Sequence, residues 1–189
     1  RIAIVHYWWF KTRGGEKVIL KLLEMFPEAD LFLHCGSKKL ILNELSGVKH
    51  SGNVHFSFIN RLPFIKKLYQ FYFALMPFAS ETFNFDDYDI IISSESGPAK
   101  NIITPVSSIH MCYCHSPMRY IWDLKNEYIK KTNFIKKILF ILISYFARKT
   151  DFISSTRVDL FIANSTFVKK RIEKFYKRKS IVINPPVEI

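Results

Sequence analysis

The sequence predicts an α/β fold, a doubly wound and mostly parallel sheet of Rossmann-like kind, from three observations. Short, continuously apolar and β-branched runs such as Ile2-Ala3-Ile4-Val5 and Tyr88-Asp89-Ile90-Ile91-Ile92-Ser93 read as strands buried on both faces, the mark of parallel pairing. Such runs alternate about seven times with segments spaced as amphipathic helices. Several runs also end in loops bearing glycine, serine, histidine or arginine, and open α/β sheets bind ligands beyond the carboxyl ends of their strands.

Ile2 to Val5 is the first strand, and His6 to Gly15 is read as the loop after it. Glu16 to Phe26 places Val18, Ile19, Leu22, Leu23 and Phe26 at helical spacing, and Pro27 ends the helix. Asp30 to Cys35 is a second strand, Lys38 to Leu45 a short helix closed by Ser46-Gly47, and Val54 to Phe56 a third strand. Leu62 to Ala79, bracketed by Pro63 and Pro77 and dense in Phe, Tyr and Leu, is too long for one strand and is expected to be helical. Tyr88 to Ser93 is a strand with Ser94 to Lys100 as its polar carboxyl-end loop.

Ser108 to Cys114 is the next strand, stopped at His115-Ser116-Pro117 because proline fixes its own φ and pushes the residue before it towards extended geometry. Thr132 to Lys149 is expected to be a long helix with Asn133 as its N-cap. Its middle, Ile138 to Ile143, is apolar on every side, yet the stretch between Lys136-Lys137 and Arg148-Lys149 falls short of the roughly 20 residues that span a bilayer. A core helix and a helix partly seated in a bilayer interface both fit that pattern. Val158 to Ala163 is a strand ending at Asn164-Ser165, Thr166 to Tyr176 a basic helix, and Ser180 to Ile183 the last strand. Asn184-Pro185-Pro186-Val187 has the composition of a linker.

The 189 residues, 49% of them hydrophobic, suffice for one domain with its own core. Eighteen Phe and nine Tyr exceed what a modest core uses, so some are expected to face a membrane, a partner or a ligand. The chain opens without a methionine and without a basic-then-apolar leader. An odd, sparse set of cysteines, Cys35, Cys112 and Cys114, fits a reducing cytoplasm. Cys112-Tyr113-Cys114-His115 raises the question of metal, but cysteines one residue apart on a strand share a face and no second pair completes a tetrahedron. Buried thiols and no metal are therefore expected.

The net charge of +12 is local. Arg119 to Lys149 holds eight basic residues against two acids, and Ser165 to Lys179 seven against one, which leaves the remainder balanced. A local surplus points to an anionic partner, with solvated helix faces as the alternative. Nucleic acid is disfavoured, since no nucleic-acid motif or aromatic-interleaved basic platform accompanies the charge.

Arg13-Gly14-Gly15-Glu16 lies between the first strand and first helix, where glycines allow close approach and a helix N-terminus offers free N–H groups. It matches neither the dinucleotide nor the Walker fingerprint, and read alone it is equally a tight turn. Further carboxyl-end loops carry Ser96 and Lys100, then His115 with Arg119, Tyr120, Trp122 and Asp123, then Asn164 and Ser165. For Tyr120 and Trp122, packing in the core is the competing role. If the fold is as read, these loops gather along one rim.

The combination of Ile4-Val5-His6, Arg13-Gly14-Gly15-Glu16-Lys17-Val18, the block from Cys112 to Asp123 and Phe161-Ile162-Ala163-Asn164-Ser165 resembles the amino-terminal half of the family 4, GT-B-fold, retaining glycosyltransferases. The resemblance is to the bacterial mannosyltransferase-like branch of surface polysaccharide assembly. It implies residues 1–183 as an acceptor-side domain, 184–189 as the start of an interdomain linker, and a donor domain outside this sequence. It implies no cofactor, a nucleotide-sugar substrate such as GDP-mannose, and a lipid-linked or oligosaccharide acceptor at an anionic membrane surface. A peripheral, cytoplasmic-face location follows from the same resemblance. His115 is then the catalytic-site residue beside the transferred sugar, a hydrogen-bond partner more than a general base. Arg13, Gly14, Gly15, Glu16, Ser96, Lys100, Arg119, Tyr120, Asp123, Asn164 and Ser165 are expected to bind substrate or donor. A non-catalytic nucleotide-binding domain, or a basic module for anionic surfaces, is the rival reading.

Overall fold

A computed structural model describes residues 1–95, 97–124, 127 and 134–186. Seven strands, β1 (Ile2–Trp9), β2 (Asp30–Gly36), β3 (Val54–Phe56), β4 (Ile90–Glu95), β5 (Ile109–Cys114), β6 (Leu160–Ala163) and β7 (Ser180–Val182), form one sheet. Their order is β3-β2-β1-β4-β5-β6-β7, and every pairing is parallel. The chain winds outwards from β1 to β3, returns to β4 on the other side of β1, and winds outwards again. The reversal leaves a crevice between the carboxyl ends of β1 and β4, where doubly wound sheets place their ligands.

β1 sends side chains into two clusters, by alternation over Ala3, Ile4 and Val5 and with Trp9 out of step with it. Ile4 and Trp9 pack with Ile19 and Leu23 of α1 (Gly14–Met25) and Ile41 of α2 (Lys38–Leu45). Ala3 and Val5 face the other way, against Phe32, Phe85, Ile91 and Ala99. On β5, Cys112 and Cys114 point into a third cluster with Phe161, Ala163 and Tyr176, as buried thiols on one strand face. The long helix α5 (Phe134–Thr156) and then α6 (Thr166–Tyr176) connect β5 to β6 and β6 to β7.

Several boundaries differ from those expected, each for a local reason. β1 does not stop at Val5: its register with β2 continues to Trp9 opposite Gly36, because Trp9 is fully buried between the sheet and the first two helices. β4 runs on to Glu95, which makes Ser94 a strand residue and not part of a loop. α5 continues past Lys149 to Thr156. Thr132, the expected N-cap Asn133, Ser96 and Val187 lie outside the described residues.

Leu62 to Ala79 is not one helix. It divides into α3 (Ile65–Leu68), a 3₁₀ turn at Phe71–Leu75 and α4 (Met76–Ser80), preceded by another 3₁₀ turn at Phe58–Arg61. Pro63 holds Leu62 extended at φ −71° and ψ 150°, and Phe64 takes a left-handed φ of 51°, so no continuous helix can cross this point. Pro77 falls in the first turn of α4, where its missing N–H costs nothing. Among the described residues no helix is long and apolar enough to cross a membrane.

Candidate functional site

At the crevice between β1 and β4 the chain assembles a buried polar cluster from the middle of β1, the end of β4, the residue after β5 and one helix start. His6 on β1 is 1% exposed, and its Nδ1 lies 2.8 Å from the carbonyl oxygen of Ser94 on β4. A carbonyl only accepts, so the proton sits on Nδ1. The Nε2 of His6 has no hydrogen-bond partner and faces Glu16 Oε1 at 3.7 Å. Glu16, in the first turn of α1, accepts the backbone N–H of Arg13 at Oε2, 2.9 Å away, and its charge suits the positive end of the helix. Burial pushes the Glu16 carboxyl up, but the facing His6 ring and backbone N–H groups outweigh it and hold the pKa below the ordinary value.

His115, one residue past the end of β5, completes the cluster. Its Nε2 lies 2.9 Å from the hydroxyl of Ser94. Ser94, fully buried, therefore fixes both rings, His6 through its carbonyl and His115 through its hydroxyl. Burial, assisted by His6 and opposed by Glu16, lowers the His115 pKa to about 4, so the ring is neutral at neutral pH. Gly15 closes over the two rings: a Cβ on it would stand 3.6 Å from His6 Cε1 and 3.7 Å from His115 Nε2. A neutral imidazole beside a carboxylate, under bare backbone at a helix N-terminus, can hold and orient a hydroxyl-bearing ligand.

The remaining expected residues divide. Arg13 and Gly14 are exposed at the mouth, and Gly15 and Glu16 belong to the cluster. Asn164 and Ser165 stand one strand further along the same rim, with the Asn164 N–H bonded to the Cys114 carbonyl at 3.3 Å. Ser165 caps α6, its Oγ accepting the Val168 N–H at 3.2 Å. Arg119 is exposed on the loop after His115, and Tyr120 is half-buried with its ring 6.0 Å from Phe73.

Lys100 does not reach the rim. It is fully buried in an ion pair with Asp151 and donates to the Gly97 carbonyl at 3.2 Å, because the Pro98–Asn101 turn directs it beneath α5. Asp123 serves as an anchor: it pairs with Arg171 of α6, which also donates to the Pro117 carbonyl at 3.0 Å. Trp122 packs 4.9 Å from Phe175 and donates to Asp151 at 2.7 Å. These bonds clamp the loop that carries His115 from below.

Two members of the cluster, His6 and Ser94, escape a reading of the sequence as site residues. His6 follows the apolar run Ile2 to Val5 as His115 follows its strand, but with the strand ended at Val5, four residues short of Trp9, it reads as the first residue of a long loop and not as a strand residue facing β4. Much of the basic surplus lies elsewhere. Lys169, Lys177 and Lys179, with Glu173, line a cavity of about 790 Å³ at the amino ends of β6 and β7, the opposite end of the sheet from His115.

No protein-family model and no curated protein matches the sequence. Among solved structures, the chain is similar to the crystal structure of Anabaena Alr3699/HepE in complex with UDP, with a TM-score of 0.53 and 12% identity. The similarity covers 97% of this chain and 44% of that one, so this chain spans less than half its length. It supports the α/β, Rossmann-like fold.

Proposed function

We propose that this chain is the acceptor-side domain of a GT-B glycosyltransferase that uses a nucleotide-sugar donor. The observation that carries the reading is the His6–Ser94–His115–Glu16 cluster under Gly15, placed at the switch point of the sheet. It has polar groups for one hydroxylated ligand but lacks a second wall. The fold shared with a protein crystallised with UDP supports the reading, since UDP is what a uridine-diphosphate sugar leaves behind after transfer. In this proposal a second α/β domain holds the donor, and residues 184–189 begin the connection to it.

His115 hydrogen-bonds the sugar in transfer, and its neutral ring suits that role better than one that must carry charge. Arg13, Gly15, Arg119, Asn164 and Ser165 border the acceptor and the donor diphosphate. The acceptor is a lipid-linked glycan at the anionic, cytoplasmic face of a membrane, and transfer retains configuration. The sequence resemblance favours GDP-mannose, whereas the UDP in the structural neighbour makes uridine donors equal candidates. Incubating the full-length protein with glycolipid-bearing membranes and separate UDP-sugar and GDP-sugar panels tests this. One donor class should be consumed, with equal nucleoside diphosphate released and labelled glycolipid formed, while residues 1–189 alone turn over none. Absence of transfer from every donor would defeat the reading, and an inverted product would defeat the retaining mechanism.

A further inference from the structure

The end of the sheet away from His115 carries both signs of charge, sorted by strand. Every strand runs parallel, so the loops that lead into them lie together at this end, in the strand order β4-β5-β6-β7. On the β4 side Asp86 and Asp87 are exposed just before the strand, with the Asp87 side chain at 85% exposure. Arg1 stands nearby, but its guanidinium is committed to the buried Asp30 at 2.7 Å and approaches Asp87 only to 3.8 Å.

On the β7 side Lys177 and Lys179 are exposed just before the strand, and Lys169 is exposed on α6. All three line the cavity of about 790 Å³ at this end. Asp159 lines it too, but its carboxylate is taken up by the His110 N–H at 2.8 Å, which leaves Glu173 as the acid facing three lysines.

Between the two halves lies an apolar point. The turn before β5, closed by the Ser108 N–H on the Pro105 carbonyl at 3.1 Å, exposes Val106 completely. Ile103 and Ile109 on either side of it are half-exposed. Neighbouring strands lie about 4.8 Å apart, so the acidic and basic groups stand about 14 Å from each other with the β5 turn between them. A bare apolar centre with charged flanks has the layout of an association surface.

The order of the charges selects the partner. A polyanion would be drawn to the lysines and repelled by Asp86 and Asp87, and a basic partner would meet the reverse. A second copy turned about a two-fold axis satisfies both halves at once, because in such a contact the same surface serves on both sides. The acidic turn of each copy then faces the lysines of the other, and Val106 meets its counterpart near the axis.

We propose that two copies of this protein associate through the amino ends of their sheets, with Asp86 and Asp87 of each against Lys177 and Lys179 of the other. Both His115 rims, at the far ends of the sheets, stay open, and nothing in the inference rests on sugar transfer. Sedimentation velocity of the full-length protein tests it by exchanging the charges. The parent should sediment as a dimer that weakens as salt rises from about 0.05 M to about 0.5 M. D86K with D87K, and separately K177E with K179E, should each raise the dimer dissociation constant about 100-fold or more. Either reversal alone sets like charges together at both contacts, whereas a mixture of the two variants restores opposite charges at both. The equimolar mixture should therefore regain the dimer. V106E should dissolve the dimer of the otherwise unchanged protein without moving its melting temperature, since that side chain is fully exposed. A monomeric parent, a mixture that stays monomeric, or a V106E protein as dimeric as the parent would overturn the inference. So would open chains of more than two copies.

Discussion

Ser94 is the residue on which the cluster depends, because one side chain and one carbonyl hold two imidazoles in place. Ser94→Ala should cost about 1 kcal/mol of stability, the ordinary worth of one buried hydrogen bond, and lower sugar transfer about tenfold through a His115 ring no longer held. Gly15→Ala should separate fold from function in the other direction. Its Cβ would meet His6 and His115 at ordinary contact distance, so urea stability should stay within about 0.5 kcal/mol or rise, while the space above His115 fills and transfer falls. A Gly15→Ala protein as active as the parent would mean that no ligand uses that space.

Two further histidines are buried neutral, and their tautomers follow from their partners. His110 Nδ1 donates to the Arg157 carbonyl at 3.2 Å, so its Nε2 accepts from Ser93 at 2.8 Å. Ser80 donates to the Met76 carbonyl at 3.0 Å and accepts from His34 Nε2, which leaves His34 Nδ1 as a bare lone pair without a partner. Burial lowers His34 to about 3 and His110 to about 4, alongside His115 at about 4. Each ring resists a proton in the folded chain that the unfolded chain takes up near pH 6.5. Stability is therefore full above about pH 6.5 and is lost as pH falls towards 4, by up to about 1.4 kcal/mol per pH unit for each histidine. The urea midpoint should drop clearly between about pH 7.5 and about pH 5, and a midpoint unchanged across that interval would contradict the assignment.

At the scale of elements, α5 and the loop before it share one buried hub. Asp151 receives Lys100, Trp122 and Tyr176, tying the Pro98–Asn101 turn, the His115 loop and α6 to one carboxylate. Asp151→Ala or Lys100→Met should cost about 3–5 kcal/mol by urea unfolding, since either leaves a buried charge without its counterpart. A loss under about 1 kcal/mol would show that the hub contributes little. This hub also explains what the sequence hid about α5. An apolar run flanked by lysines fits a core helix and an interfacial one alike, and only the long-range pairing with Lys100 shows that Asp151 and the serines face inwards. Elements governed by local rules were legible: Lys38–Leu45, Val54–Phe56 and Thr166–Tyr176 form where spacing and turn residues place them. The Leu62–Ala79 stretch was not, because the left-handed turn at Phe64 and packing against Cys35, Ile59 and Met76 decide its course.

For the whole molecule, the alternation of apolar runs and helical segments was enough to foresee a doubly wound parallel sheet, and the strand order adds where it reverses. That reversal turns scattered residues into a site. His115 and the Gly14-Gly15 loop are visible as motifs, whereas His6 and Ser94 join them only when β1 and β4 lie side by side. Lys100, a charged residue in a promising loop, is drawn away because its partner Asp151 arrives from a helix later in the chain, as does Arg171, the partner of Asp123. The most direct test of the account is sugar transfer by the full-length protein, with and without His115→Ala, from the donor class it consumes. Removing one well-placed hydrogen-bonding group should lower turnover about 100-fold or more, with the melting temperature preserved. Turnover equal to that of the parent would remove His115, and the cluster built around it, from the site of transfer.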